Sequence, residues 1–258
     1  MSGPLGPVER VVSVDSTNAE LLRRAGGGAP AGVVLVADEQ TSGRGRLGRV
    51  WEAPRGSSLL VSVLLRPELQ PGEAHLATVC AALAGVEACA TVAGVRPGIK
   101  WPNDLVVGDR KLAGLLTESL VTGDRLDALV VGMGLNVRWP RPMPDELAAT
   151  ATALNHEMDE TASPAGADDG GIALDEVLDA WLAALAPRLD QLTSAEGRVA
   201  LARDHRAGCV TLGRRVRVEW TGTDSTGTAV DLTEEGHLVV DDGRSRTVVA
   251  VGDVVHLR

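Results

Sequence analysis

Apolar residues come in short runs along much of the chain, and polar, glycine-containing stretches separate them. Runs of this length, rich in valine and leucine, predict strands. The predicted strands occupy residues 10–15, 32–37, 57–66 and 126–137. Two further apolar runs flank Gly108 and Asp109, and this arrangement predicts a β-hairpin whose first strand begins at Asp104.

Other segments carry apolar residues at helical spacing. A short helix is predicted from Thr17 to Ala25, because Thr17 and Glu20 fit a capping box and three glycines follow the segment. Further helices are predicted over 73–93, 172–192 and about 195–207. The stretch 155–171 is acidic and contains several glycines, which predicts a flexible loop.

The mixture of antiparallel hairpins and helices favours an α+β fold, with a mixed sheet flanked by helices. From residue 209 the pattern changes to short valine-rich runs separated by glycine, aspartate and threonine. This pattern predicts a small antiparallel β-barrel. We therefore predict a large domain over 1–208 and a small domain over 209–258, with the boundary near Gly208.

Composition and charge narrow the classes of function. The formal net charge of −10 argues against a nucleic-acid binder, which would normally present a basic face to phosphates. The three cysteines show neither metal-ligand spacing nor a disulfide framework, which fits a reducing cytosol. No run approaches the ~18 apolar residues of a membrane span, and no signal peptide is visible. We therefore expect a cytoplasmic protein without DNA or membrane partners.

The densest chemical signal is the stretch 40–51 (QTSGRGRLGRVW), which joins two predicted strands. Its glycines allow main-chain N–H groups to approach a ligand closely, and its three guanidinium groups suit phosphate and carboxylate oxygens. Trp51 offers a ring on which a planar ligand could stack. A solvated basic turn is the alternative interpretation of this stretch.

The second signal is the position of the lysines. The chain contains 25 lysine and arginine residues, and its only two lysines are Lys100 and Lys111, which lie close together in the sequence. Between them, Asn103 and Asp104 follow a proline at a predicted strand start. Two ammonium groups and a carboxylate brought together by a hairpin would suit ATP, with the lysines on phosphates and the carboxylate on Mg²⁺ or ribose. An Asx turn is the alternative for the Asn–Asp pair.

Two weaker signals complete the set. The stretch 132–136 (GMGLN) ends a predicted strand, and glycines within a strand indicate either a bulge or a close approach of another group. The stretch 16–18 (STN) opens the first helix, where a capping role and a ligand contact can coexist. The chain has no P-loop, GxSxG or HExxH motif, and its five histidines are scattered.

In order and spacing, these segments together with 111–114 (KLAG) resemble the biotin protein ligases. The resemblance covers residues from about 10 to 200. It implies a class II synthetase-like catalytic domain followed by a small SH3-like β-barrel. It also implies a two-step reaction, in which biotin and MgATP give biotinyl-5′-adenylate and pyrophosphate before a lysine of an acceptor domain attacks the adenylate.

The resemblance also implies roles for individual residues, with Lys111 and Arg46 as the catalytic pair and Asp104 as a candidate Mg²⁺ contact. The residues implied to bind biotin are Ser16, Thr17, Asn18, Gln40, Gly43, Arg44, Gly45, Arg46, Lys111 and Gly114. The residues implied to bind ATP or the adenylate are Arg46, Arg49, Trp51, Lys100, Asn103, Asp104 and Asn136.

The implied partner is the biotin carboxyl-carrier domain of a biotin-dependent carboxylase, and a homodimer is an option because family members often dimerise. Only about nine residues precede the first predicted strand, so we do not expect the DNA-binding domain that many members carry. Two alternatives remain. A lipoate or octanoate ligase would share the fold, and a non-catalytic biotin-binding or biotin-carrying protein would leave Lys100, Asp104 and Arg49 unexplained.

Overall fold

The predicted strands of the first 136 residues assemble into one mixed sheet. The computed structural model describes residues 5–158, 171–220, 223–250 and 252–257. Within these ranges, the sheet has seven strands in the order β1-β2-β3-β7-β6-β5-β4. The strands are β1 (Val8–Val14), β2 (Val34–Gln40), β3 (Ser58–Leu65), β4 (Gly98–Lys100), β5 (Asp104–Val107), β6 (Arg110–Thr122) and β7 (Arg125–Asn136). β1 and β2 are parallel, and every other neighbouring pair is antiparallel.

Helices cover both faces of this sheet. They are α1 (Thr17–Gly26), α2 (His75–Ala93), α3 (Asp145–Ala148), α4 (Leu154–Glu157), α5 (Leu174–Gln191) and α6 (Ala195–Gly208). On one face, Leu21 of α1 packs against Leu35 and Leu64 of the sheet. On the other face, α2 and α5 form the main core, in which the indole of Trp181 donates a hydrogen bond to Ala81 O at 3.1 Å. The predicted α+β architecture is therefore confirmed.

Helix α2 departs from one expectation. The segment Pro71–Ala93 is long and apolar enough to cross a membrane by length and composition alone, with a mean hydropathy of 1.8 in its most apolar 18-residue window. The prediction that no segment reaches that threshold was therefore wrong. In the structure, 61% of its most apolar window is buried within the protein, as expected for a helix of the central core.

Cys80 and Cys89 lie on this helix as free, buried residues, and burial raises the pKa of each thiol to about 12.

The C-terminal part forms a second, antiparallel sheet in the order β11-β10-β9-β8-β12. Its strands are β8 (Arg215–Trp220), β9 (Thr223–Leu232), β10 (Leu238–Asp241), β11 (Arg246–Val249) and β12 (Asp253–His256). Its core also contains Trp101, which follows β4 of the large sheet and donates a hydrogen bond to Gly236 O at 3.0 Å. The two parts therefore share a core, and a division near Gly208 stays a prediction.

Local details correct two predictions. Helix α1 begins at Thr17 as predicted, and the predicted capping role of the stretch 16–18 is confirmed. The cap is Ser16, whose hydroxyl accepts from Ala19 N at 3.4 Å, so the expected capping box beginning at Thr17 was wrong. Within the predicted loop 155–171, α4 takes up the first residues because Asn155 bonds to the backbone of Trp139. Residues 159–170 of that loop lie outside the described ranges.

Candidate active site

A cavity of about 110 Å³ lies where α1, the loop after β2 and strands β5, β6 and β7 meet. Most of the residues predicted from the sequence line this cavity. They are Ser16, Thr17, Asn18, Gln40, Arg44, Gly45, Arg46, Arg49, Trp51, Asn103, Asp104, Lys111 and Gly114. Segments as far apart in the sequence as α1 and β7 therefore converge on a single concave site.

One end of the cavity is a network of neutral polar groups at the start of α1. Gln40 Oε1 accepts from the backbone N–H of Thr17 at 2.8 Å and from its hydroxyl at 3.1 Å. The hydroxyl of Ser62 lies 2.7 Å from Thr17 Oγ1 and 2.6 Å from Asn18 Oδ1. Ser16, Thr17, Asn18 and Ser62 are all buried, so this network is held rigid and kept away from bulk water.

Glycines on β6 and β7 let side chains approach the sheet. Gly132 faces Asn18, and a Cβ atom at this position would lie 2.1 Å from Asn18 Oδ1. Gly114 and Gly134 are register partners, and Cβ atoms there would lie 3.1 Å and 2.6 Å from the indole of Trp51. β7 keeps a regular register here, so the glycines mark close approaches and the alternative of a bulge is wrong.

Lys111 lies opposite the indole of Trp51. Its Nζ is 2.8 Å from Asp104 Oδ1 and 5.5 Å from the ring centroid of Trp51. Its backbone is fixed on both sides, because Lys111 N donates to Thr150 O at 2.7 Å and Lys111 O accepts from Thr152 N at 2.9 Å. The Lys111 side chain is 37% exposed at the cavity wall, so it remains available to an anionic ligand.

The arginines of the loop contact carboxylates in two different parts of the molecule. Arg44 pairs with Glu118 of β6 at 3.2 Å, and Glu118 also accepts from Asn18 Nδ2 at 3.0 Å. Arg46 and Arg49 both pair with Asp253 of the C-terminal sheet. Burial lowers the pKa of Arg46, while the charges of Asp253 and Asp104 act in the opposite direction.

Three predicted residues do not line this cavity. Gly43 lines a neighbouring open groove along the loop, where its close contact with Trp51 O leaves no room for a side chain. Asn136 is buried, and its amide accepts from Ser58 Oγ at 3.2 Å and donates to Thr152 O at 2.9 Å. Lys100 ends β4. Burial lowers the pKa of His256 to about 4, and the positive charge of Lys100 acts in the same direction.

Comparisons with known proteins agree with this geometry. Residues 11–136 match the model of the Biotin/lipoate A/B protein ligase family, and residues 211–257 match that of the biotin protein ligase C-terminal domain. The chain is 39% identical to the biotin–[acetyl-CoA-carboxylase] ligase of Mycobacterium tuberculosis, over 96% of this chain and 88% of that protein. The chain belongs to the biotin protein ligase family.

Two further relatives place this ligase in the family. It is 38% identical to the bifunctional ligase/repressor BirA of Bacillus subtilis, over 59% of this chain and only 47% of that protein. Among solved structures, the biotin protein ligase from Aquifex aeolicus in complex with biotin and ATP is 27% identical, with a TM-score of 0.78. That similarity covers 97% of this chain and 98% of the other, so the predicted pairing of a ligase sheet with a C-terminal β domain is confirmed.

The described residues contain no group of three histidine, cysteine, aspartate or glutamate side chains arranged to hold a metal ion. Asp104, the candidate Mg²⁺ contact, is already paired with Lys111. Mg²⁺ commonly binds through one or two carboxylates together with substrate phosphates. This ligase therefore has no preformed metal centre in the described ranges, and its residues fit Mg²⁺ only as part of a complex with ATP.

Sequence reasoning missed three polar residues that surround the cavity of this ligase: Ser62, Glu118 and Asp253. Ser62 left a weak signal, because it is a polar residue in the otherwise apolar run LLVSVLL, and it is fully buried. Glu118 and Asp253 gave no signal in the sequence, because each meets its arginine partners only after distant segments fold together.

Proposed function

We propose that this chain activates biotin with MgATP and then transfers biotin to a lysine of a biotin carboxyl-carrier domain. In the first step a carboxylate oxygen of biotin attacks the α-phosphorus of ATP, and the bond to pyrophosphate breaks. In the second step the lysine amine attacks the carbonyl of biotinyl-5′-adenylate. The amide forms, AMP leaves, and the amine loses a proton.

The observation that carries this proposal is the division of the cavity into a neutral polar end and a cationic end. The hydroxyl and amide groups around Thr17, Asn18 and Gln40 suit the ring urea of biotin, which both donates and accepts hydrogen bonds. Val61, Leu115 and Met133 also line the cavity and offer apolar walls to the sulfur-containing ring and its side chain.

At the cationic end, Lys111 and Arg46 face the place where two anions must meet. A carboxylate and an α-phosphate repel each other, and positive groups at close range offset that repulsion. The Lys111 ammonium exchanges its contact with Asp104 for the biotin carboxylate, and Arg46 closes over the adenylate. An ordered loop also excludes water, which would otherwise hydrolyse the mixed anhydride.

We place the nucleotide between the arginine loop and the hairpin, with Trp51, Asn103 and Asp104 around it. The indole of Trp51 lies close to Gly114 and Gly134, and aromatic rings stack on nucleobases. Its Nε1 is a buried donor without a hydrogen-bond partner among the described residues, which leaves it free for a ligand acceptor. Mg²⁺ bound with ATP would neutralise part of the phosphate charge, and Asp104 is the carboxylate that would contact it.

We further propose a cytoplasmic location, which the three free, buried cysteines fit.

The direct test mixes the purified protein with biotin, MgATP and a biotin carboxyl-carrier domain, and follows the intact mass of the acceptor. We expect one biotinyl group on one lysine, and none when that lysine is replaced by arginine. Lipoate in place of biotin should give no product. Lipoyl transfer would assign the chain to the lipoate branch, and tight biotin binding without transfer would make it a binding protein.

A further inference from the structure

The arginine loop is attached to the C-terminal sheet through one carboxylate. Asp253, at the start of β12, is only 6% exposed, and its two oxygens face two different arginines. Oδ1 lies 3.5 Å from Arg46 Nη1, and Oδ2 accepts from Arg49 Nη2. Burying a carboxylate costs free energy, and the two guanidinium groups that offset this cost lie more than 200 residues away in the sequence. Such a contact indicates a role in the loop or in the sheet.

Arg46 is held at several points around this carboxylate. Its two terminal nitrogens donate to Gly252 O at 3.3 Å and 3.2 Å, and Nη1 also reaches Asn103 Oδ1 at 3.4 Å. Acceptors on the C-terminal sheet and on the hairpin therefore fix the plane of the guanidinium. The Arg46 side chain is 21% exposed, so most of it is enclosed where the sheet meets the cavity.

The charge balance of the loop depends on Asp253. Arg46 and Arg49 repel each other, and burial of Arg46 further opposes its positive charge. Two carboxylates act in the opposite direction and raise the pKa of Arg46, and the effect of Asp253 is larger than that of Asp104. Without Asp253, two adjacent arginines at a partly buried position would separate into solvent.

We infer that Asp253 is a positioning residue for the adenylation step, which keeps Arg46 and Arg49 over the cavity before MgATP arrives. In this inference, which rests on the proposed function, the C-terminal sheet uses this carboxylate to hold both arginines beside the place where the loop will later meet phosphate oxygens. Arg49 is 63% exposed and keeps N–H groups free for the nucleotide. Asp253 itself touches neither substrate.

The alternative is that Asp253 only fastens the C-terminal sheet to the rest of the chain. A matched control separates the two roles. Asp231 of β9 forms an ion pair with Arg206 of α6 at 2.6 Å, and this pair also ties the C-terminal sheet to the larger part of the molecule. Replacing Asp231 by asparagine should weaken the attachment without touching the loop.

The experiment measures the steady-state rate of biotin-dependent pyrophosphate release from the full chain as a function of MgATP and of biotin, with a biotin carboxyl-carrier domain present so that the enzyme turns over. For Asp253→Asn we expect KM for MgATP to rise about tenfold, the scale of losing a charge-assisted contact, while KM for biotin stays within about twofold. Asp253→Glu should recover part of the loss because it keeps the charge. Asp231→Asn should match the wild type in both KM values, and the melting temperature of each variant reports on its folding.

Three outcomes would refute the positioning role of Asp253, and a fourth would refute the proposed function. The inference fails if Asp253→Asn matches the wild type, if Asp231→Asn reproduces its defect, or if Asp253→Asn raises both KM values equally. If the wild type itself releases no pyrophosphate with biotin, the proposed function fails instead, so the two failures remain distinguishable.

Discussion

Gly132 gives a test of the polar end of the cavity. Its Cα faces the first turn of α1, and a Cβ atom would lie 2.1 Å from Asn18 Oδ1, where ordinary contacts begin at 3.4 Å. The Gly132→Ala variant must therefore push the Asn18 amide away from Ser62, whose hydroxyl is now 2.6 Å from that oxygen. We expect the strand to persist, because alanine keeps the backbone hydrogen bonds of β7.

The size of the effect follows from the groups that lose their partners. Displacing the amide leaves a buried oxygen and a buried hydroxyl mispaired, which costs about 1–3 kcal/mol. If this network binds biotin, the loss appears in affinity, and the dissociation constant should rise about 10- to 100-fold. The new methyl also fills part of the cavity, which acts in the same direction.

Isothermal titration of biotin without ATP measures this loss directly. The matched control is Gly26→Ala at the other end of α1, where an added Cβ meets nothing within 4 Å, and its affinity should equal that of the wild type. Should Gly132→Ala fail to fold, Asn18→Ala tests the same network from the helix. Unchanged biotin affinity in a well-folded Gly132→Ala protein would show that biotin does not bind at this end of the cavity.

The other predictions concern charge and protonation. Lys111→Ala should abolish adenylate formation, measured as pyrophosphate release, because it leaves the carboxylate–phosphate repulsion unopposed; full activity would refute that role. Arg46→Gly should still form the adenylate but release it, seen by mass spectrometry as biotin on many lysines of bystander proteins; strict labelling of one lysine would contradict this. Burial lowers the pKa of His205 from about 6.5 to about 4, so its contribution to stability is complete above pH 6.5 and is lost as the pH falls towards 4. His205→Leu should flatten the acid decline of the melting temperature, and an unchanged slope would contradict the assignment.

Much of the fold was predictable because its signals are local. Short apolar runs, the Gly108 turn and the glycines after α1 each specify structure within a few residues, and each was confirmed near its predicted position. The antiparallel hairpins indicated a mixed sheet for the same reason. The parallel pairing of β1 with β2 was not predictable in this way, because it joins strands across an intervening helix.

The site residues were predictable where a residue type in its sequence context has few structural roles other than ligand binding. Three arginines between glycines have little structural use, and the structure brings all three to the cavity. Asn136 shows the opposite case, since its amide is satisfied by Ser58 and Thr152 within the protein. An asparagine at a strand end gives no sign of which role it has.

Contacts between distant segments were beyond sequence reasoning. Asp253 meets the arginine loop only because the C-terminal sheet packs on Trp101 and brings β12 to the mouth of the cavity. Nothing in the sequence around Asp253 distinguishes it from the other carboxylates of the C-terminal part. Residues 150–152, which hold the backbone of Lys111, were likewise without a local pattern.

Pyrophosphate release from purified protein with MgATP and biotin, but without an acceptor, tests most directly whether this cavity adenylates biotin. We expect about one equivalent of pyrophosphate per active site, because the adenylate stays bound once it forms. With lipoate we expect no release. Release that requires lipoate, or no release with either acid despite tight biotin binding, would show that the cavity does not adenylate biotin.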